Sequence, residues 1–365
     1  MLEEALELVR YMDSYGYDAY IVGGFVRDYL LHIESSDIDI CTNATPKDIR
    51  EVFQDACMPN DDYGSVTVYY KGIRFEITTF RKELSYIDNR RPSKIIYINN
   101  LKEDLSRRDF TINTFCMDKN GTVIDLFEAK RDLEQKRIET VGDAIEKFSE
   151  DSLRILRAIR FATKLNFHLS DAVKHAIEET KLLLKKLSYQ RKKEELEKIF
   201  TSPNVKYGVS LLLELGLDSE LEIPKLRTVE SFEDILGVWA QLDVCDIYPF
   251  SNNEKSLIEA IQQCMEKNNL DYRTLYQYDL YPNLVAATMK KIPKEKVAEA
   301  YEEMPIHSKK EIAISSLEIA ELLHRKPGPF IKEIRQDIEQ KILTMKLKNE
   351  KSAITEYIIS KRFDN

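Results

Sequence analysis

The stretch from Ile21 to Thr42, IVGGFVRDYLLHIESSDIDICT, constrains this chain more than any other. A β-rich run, Ala19 to Val22, ends in Gly23-Gly24. Val26, Tyr29 and Leu30 then fall at helical spacing, a loop follows, and Asp37-Ile38-Asp39-Ile40 reads as a second strand. Side chains alternate along an extended strand, so Asp37 and Asp39 share one face while Ile38 and Ile40 face the core. Two neighbouring carboxylates repel each other unless a cation lies between them. Oxygen-only ligands of this kind suit Mg²⁺, which takes one or two carboxylates plus substrate phosphates. The glycine pair supplies the other half of a phosphate site. Glycine lets backbone approach a ligand closely, the amides opening the next helix face an anion, and Arg27 adds a charge-assisted contact. Alone, a Gly-Gly pair is usually a turn and D-x-D a solvated strand edge. Their order and close spacing point to a nucleotide triphosphate–metal site.

At 365 residues the chain is long enough for two or three domains with cores of their own. No run of about 18 apolar residues exists, so no transmembrane helix is expected. The opening MLEEALELVRYMDSYG places Leu2, Ala5, Leu6, Val9 and Met12 on one face, which reads as an amphipathic helix rather than a signal or transit peptide. Cys41, Cys57, Cys116, Cys245 and Cys264 are scattered with no C-x-x-C pair. They fit reduced thiols of a cytoplasmic protein, not a zinc site or a disulfide framework. The five histidines are equally dispersed. The net charge of −9 argues against nucleic acid as a partner, but net charge is not local charge. Arg154 to Lys198 holds twelve lysines and arginines against six acidic residues, and Lys332 to Arg362 is also lysine-rich. A basic belt in an acidic protein fits a nucleic acid held in a groove; it equally fits solvated helix faces.

The first third alternates helix and strand signals. Strands are expected at Ala19–Val22, Ile38–Thr42, Ser65–Tyr70 and Ile73–Phe80, with a short hairpin around Phe115–Ile124. Lys71-Gly72 reads as a hairpin turn, and Thr45-Pro46 opens a helix running to about Phe53. The polar segment Arg81 to Ile95 reads as a mobile loop or an ordinary surface excursion. From about Leu126 onward β signals fade. Helices are expected at Asp151–Asn166, Ser170–Leu184, Gln190–Phe200 and Tyr207–Leu215, with more beyond, punctuated by Pro224, Pro282, Pro293, Pro305 and Pro327-Gly328-Pro329. The resulting fold class is α+β: a mixed head followed by an elongated all-α body.

Two further constellations carry chemistry. In LSRRDFTIN, Arg107 and Arg108 beside Asp109 suit a triphosphate and a ribose hydroxyl, or simply an exposed ion pair. In EDSLRILRAIRF, Arg154, Arg157 and Arg160 recur every third residue and Asp151 stands one step before them. Read as one helix, this stripe slants, leaving Asp151 and Arg160 on nearly opposite faces, while Asp151 and Arg154 are neighbours. A carboxylate accepts hydrogen bonds and a guanidinium donates them. Cytosine and adenine share an amino donor next to a ring-nitrogen acceptor; guanine and uracil present the reverse. The pair would accept C and A and reject G and U, because mismatched polar groups would be left unpaired. The alternative is an i, i+3 ion pair on a helix surface.

Taken together, these segments resemble the bacterial class II tRNA nucleotidyltransferases, the CCA-adding enzymes of the DNA polymerase β-like and poly(A) polymerase superfamily. The matching pieces are GGFVRDYLL–DIDICT, FEITTFR, the Asn89-Arg90-Arg91-Pro92 segment, SRRDFTIN, VIDLF, EDSLRILRAIRFA and QRKKEELEKIF. The end, ISSLEIAELLHRKPGPFIKEIRQDIEQKIL, is similar to the tail of the Bacillus-like type. The resemblance implies a nucleotidyltransferase head with a small mixed sheet over residues 1–125, then a helical neck at 126–200, body at 201–270 and tail at 271–365. It implies that Asp37 and Asp39 hold Mg²⁺, with Glu76 as a third candidate carboxylate. Gly24 and Arg27 would contact the triphosphate, Arg108 the nucleotide and Asp109 the ribose. Asp151 and Arg154 would read the base, and Arg157 and Arg160 would support the nucleotide and its phosphates. The chain departs from the family pattern in few places. His32 stands where a glycine usually closes the first motif, Glu128-Ala129 replace glycine after Asp125-Leu126-Phe127, Glu139 replaces a basic residue, and Tyr189-Gln190 replace an acidic one.

The activity implied is template-independent addition of C, C and A to tRNA 3′ ends from CTP and ATP, with pyrophosphate released. The implied partners are tRNA and the two nucleotides, with no membrane and, from the relatives, a homodimer in the cytoplasm. Alternatives are an A-adding enzyme or a poly(A) polymerase of the same family. From another class, a non-catalytic tRNA-binding scaffold would show damage to D-x-D or R-R-D, and both are intact. CC-adding relatives lack the polar segment after Phe80, which this chain keeps.

Overall fold

Pairing partners, more than local composition, decide which segments of this chain become strands. The computed structural model describes residues 1–35, 37–54, 57–58, 64–87 and 91–361. Asn89 and Arg90 of the polar segment lie outside the described residues, as does Ser36. Two compact units divide the chain, residues 1–226 and 227–365.

The first unit opens with α1 (Leu2–Ser14), which buries Ala5, Leu6, Leu8, Val9 and Met12. Then come β1 (Ala19–Val22), α2 (Gly24–Leu30), β2 (Asp39–Thr42), α3 (Pro46–Val52), β3 (Cys57–Met58), β4 (Ser65–Tyr70) and β5 (Ile73–Thr79). These are followed by β6 (Arg81–Ile87), β7 (Arg91–Tyr97), α4 (Leu101–Ser106), β8 (Cys116–Met117) and β9 (Val123–Ile124). Thr45 starts α3 with a capping box, its hydroxyl taking the Asp48 N–H while the Asp48 carboxylate takes that of Thr45. Lys71 and Gly72, both at positive φ, form the tight turn between β4 and β5. One seven-stranded sheet runs β3-β4-β5-β2-β1-β8-β9, with every pair antiparallel except β2 and β5. The register sets Asp39 opposite Glu76. Ile38 and Ile40 are buried as expected, but β2 also buries Cys41 and Thr42, so burial along it does not alternate.

Three expectations need correction. The described residues of Arg81–Ile95 form strands and not a loop: β6 and β7 pair antiparallel from Arg81↔Tyr97 to Ile87↔Arg91, with register shifts around Ser85. Its polar side chains hid backbone pairing that composition does not reveal. The second strand begins at Asp39, so Asp37 precedes it. The helix expected from Asp151 begins at Leu153, because Asp151 is the extended C-cap of the helix before.

The rest of the unit is helical: α5 (Ala129–Glu134), α6 (Ala144–Glu150), α7 (Leu153–Leu165), α8 (Asp171–Thr180), α9 (Tyr189–Phe200), α10 (Val205–Glu214) and α11 (Leu217–Glu220). A two-residue parallel pair, β10 (Arg137–Ile138) with β11 (His168–Leu169), interrupts the run. Contact between α7 and α9 places the arginine stripe beside the segment containing Arg191 and Glu195. The second unit is all helix among its described residues, α12 (Ile235–Leu242) to α19 (Lys351–Lys361), through α13 (Asn252–Glu266), α14 (Tyr272–Tyr278), α15 (Leu280–Met289), α16 (Lys294–Glu302), α17 (Ser316–Leu322) and α18 (Phe330–Leu343). Its core is rich in isoleucine, with Ile306, Ile319, Ile338, Ile342, Ile354 and Ile358 fully buried. No helix among the described residues is long and apolar enough to cross a membrane.

Candidate active site

One cavity of about 590 Å³ lies wholly in the first unit. Eleven residues singled out from the sequence line it: Gly24, Arg27, Asp37, Asp39, Glu76, Arg108, Asp109, Asp151, Arg154, Arg157 and Arg160.

The acidic side is built by the sheet. Asp39 and Glu76 come from paired positions of β2 and β5, and Asp37 is exposed just ahead of the strand. None of the three carboxylates takes a hydrogen bond or ion pair among the described residues. Burial, and then the nearby charge of Asp37, push the Asp39 carboxyl up to about 6; Glu76 adds to this and Arg108 opposes it. Such crowding of uncompensated oxygens is the setting a divalent cation relieves. Among the described residues no three acidic, histidine or cysteine groups form a closed metal cage. An open pair completed by substrate phosphates fits that geometry. Arg108 reaches the same region. Its Nε is buried without a partner, and its Nη1 makes one long bond, 3.4 Å, to the carbonyl of Asn113. Gly23 is the glycine this corner requires. It sits at φ 81°, and a Cβ there would lie 2.9 Å from Arg108 Nη1.

The basic side is built by α7 and the segment before it, and here the guanidiniums are already tied to partners. Arg154 donates to the Glu150 carboxylate at 2.6 Å and to the carbonyls of Lys147 and Arg107. Arg157 donates through Nε to Asp109 at 2.7 Å. Arg160 faces Glu195 of α9 at 2.8 Å. Arg27, expected at the triphosphate, donates twice to Asp28 and once to Asn113 Oδ1, and Lys164 of α7 closes on the other oxygen of Asp28 at 3.2 Å. Asp109 accepts from the Phe110 N–H and Asn113 Nδ2 as well as Arg157. Burial alone would raise its carboxyl, but Arg157 and these hydrogen bonds outweigh it and hold the group well below the usual carboxylate range.

Asp151 is placed differently from the helical reading. Its Oδ1 accepts the Leu153 N–H at 3.0 Å, and Oδ2 faces Arg191 of α9 at 3.5 Å. Asp151 and Arg160 therefore line one cavity, although a continuous helix would have set them nearly opposite. Sequence reasoning assigned no role to Asn113, which joins Arg27, Arg108 and Asp109. It also passed over Glu150, Arg191, Glu195 and the Asp28–Lys164 pair. Asn113, Glu150, Arg191 and Glu195 stood inside the quoted motifs, but their partners lie as far as 86 residues away, and spacing carries no signal of that kind.

The chain matches three protein-family models: the poly A polymerase head domain over residues 19–139, the probable RNA and SrmB-binding site of polymerase A over 166–222, and tRNA nucleotidyltransferase domain 2 over 240–358. It is 33% identical to a CCA-adding enzyme of Staphylococcus haemolyticus, with 98% of each chain covered. It is 36% identical to one of Lactococcus lactis, covering 93% of each. Among solved structures, the CCA-adding enzyme of Bacillus stearothermophilus in complex with CTP matches with a TM-score of 0.87 at 29% identity, over 98% of this chain and 97% of that one. Near-complete coverage at this identity, on a cavity with this composition, places the chain in a family: it belongs to the CCA-adding enzymes, the tRNA nucleotidyltransferases.

Proposed function

We propose that this chain adds C, C and A in turn to the 3′ end of tRNA, taking CTP and ATP and releasing pyrophosphate. The family works with a divalent metal ion. We infer Mg²⁺ here, two ions held by Asp37 and Asp39 with Glu76 alongside, because the donors are oxygens and the pair leaves positions for phosphates. Bound there, the metal would activate the tRNA 3′-hydroxyl toward the α-phosphorus and neutralise the leaving pyrophosphate. Gly24, Arg27 and Arg108 hold the triphosphate, and the unpartnered Nε of Arg108 is the donor readiest for it. Asp109 orients the ribose. Asp151 and Arg154 read the base edge, accepting C and A. Arg157 and Arg160 set the nucleotide's place. The four-part division into head, neck, body and tail, the homodimer and the cytoplasmic setting belong to the same proposal.

The observation that supports it most is the division of one cavity into an uncompensated acidic wall and an anchored basic one. The test gives the protein three tRNA transcripts, ending before CCA, after C and after CC, with each nucleotide singly. CMP is expected on the first two and AMP only on the third. AMP addition alone would reduce the activity to A-adding, and runs of AMP on any RNA would mark a poly(A) polymerase.

A further inference from the structure

Phe161 carries no ionisable or hydrogen-bonding group, yet three guanidiniums of the cavity converge on it. The Cζ of Arg160 lies 4.4 Å from its ring centroid, that of Arg27 5.2 Å and that of Arg157 5.4 Å. Arg27 comes from α2 and the other two from α7, so one ring is shared by elements far apart in the chain. The ring lines the cavity, is only 7% exposed, and is packed edge-on against Phe110 at 5.8 Å and 76°. Three like charges around one point repel. Burial first, then Arg157 and Arg27, hold the Arg160 guanidinium below its usual value against the pull of Glu195. Each arginine has its own carboxylate, Asp28, Asp109 or Glu195. Those carboxylates come from three separate segments of the chain. What the three have in common is the ring, whose faces are electron-rich and attract cations where an aliphatic filler would not.

We propose that Phe161 is a positioning residue for nucleotide binding, an aromatic platform holding Arg27, Arg157 and Arg160 at fixed stations so that a triphosphate meets an assembled arginine cradle. This rests on the nucleotidyl-transfer reading above and adds to it which residue sets the phosphate grip. The platform acts on phosphates and not on the base, so it serves CTP and ATP alike.

The test uses the full chain with Phe161→Leu, which keeps bulk and loses the π face, and Phe161→Tyr, which keeps both. Inorganic tripolyphosphate is the probe in calorimetry, and KM and kcat are measured for CTP and ATP. Phe161→Leu is expected to weaken tripolyphosphate binding and to raise both KM values by the same factor, about tenfold. Its kcat should stay within about twofold of wild type, with the Tyr variant close to wild type throughout. A merely structural ring would instead lower kcat and melting temperature together, without separating Leu from Tyr. If the Leu variant does not fold, Phe161→Met carries the same expectation. Wild-type affinity for tripolyphosphate in the Leu or Met variant, or a Tyr variant as weak as Leu, overturns the platform alone. A wild-type protein that binds neither tripolyphosphate nor CTP overturns the nucleotide reading, and the platform with it.

Discussion

The two walls of the cavity are opposite in charge and also in state. On the sheet side, Asp37, Asp39 and Glu76 face one another without hydrogen-bonded partners among the described residues, and Asp39 is driven up to about 6. On the helix side, Arg154, Arg157 and Arg160 are each clamped by a carboxylate, and Asp109 is driven the other way. The first wall presents open carboxylates, and the second is preorganised. A site that stabilises a transition state gains from donors fixed beforehand. A metal seat must instead keep open oxygens, at some cost to the ligand-free fold. Substitutions in the two walls should therefore fail in different ways.

The largest contrast comes from Asp39→Asn. If Asp39 holds the metal as proposed, its loss should cut nucleotide addition by about a thousandfold or more, while tRNA binding persists in a gel-shift assay. Because the folded-state pKa is raised, the stability linked to protonation of Asp39 is present below the ordinary value near 4 and lost as pH rises through about 6. At pH 7 the ionised group opposes folding. In EDTA the Asn variant should thus melt no lower than wild type. A variant that is stable, binds tRNA and still turns over would remove Asp39 from the chemistry.

Asp151→Ala touches the other wall and should change choice more than rate. With the acceptor gone, discrimination of C and A against U and G should fall by about a hundredfold in kcat/KM. Single-nucleotide incorporation measures it. Unaltered selectivity would mean that another pair reads the base edge.

Asp109→Asn separates the walls by pH. The Asp109 carboxyl is depressed in the folded state, so its stabilising contribution is complete above the ordinary carboxylate value and is lost as pH falls below it. The Asn variant should be less stable than wild type at pH 7, by about 2 kcal/mol, a figure reduced because Arg157 is partly exposed. The gap should narrow as the medium becomes acidic, because the contribution fades only as pH falls toward the depressed folded-state value. Urea melts at pH 7 and pH 3 test this, and a constant difference across the range would deny the ion pair its role.

What the sequence revealed follows the same division. Much of the acidic wall is local: β1, the glycine pair, Asp37 and Asp39 sit within one stretch, and Ile38 and Ile40 are buried as read, whereas Glu76 arrives only through the β2–β5 register. Turn and cap chemistry is local too, so Lys71-Gly72 and Thr45-Pro46 could be read directly. The basic wall is non-local. The periodicity of Arg154, Arg157 and Arg160 located the helix, but their anchors Asp109 and Glu195 come from other segments. Asp151 was misplaced because its side chain takes the Leu153 N–H and ends the helical geometry, which i, i+3 spacing cannot register. The β6–β7 hairpin escaped for a related reason: it is held by pairing between strands whose side chains look like loop.

The smallest effect concerns the joint between the walls. His32 follows α2, which carries Arg27, and leads toward Asp37; Glu128 stands before α5. Both adopt the left-handed region that favours glycine, at φ 55° and φ 57°. A residue with a Cβ held there carries strain of about 1 kcal/mol at each position. Glycine would relieve that strain but also give the unfolded chain more freedom, which offsets roughly half of it. His32→Gly and Glu128→Gly together should raise stability by about 1 kcal/mol, or about 2 °C in melting temperature for a chain of this size. Both side chains are exposed and neither lines the cavity, so nucleotide addition should be unchanged. A lowered melting temperature would mean that these side chains contribute contacts outweighing the strain. A change in activity without one would mean that the walls are set by the joint rather than by the β2–β5 register.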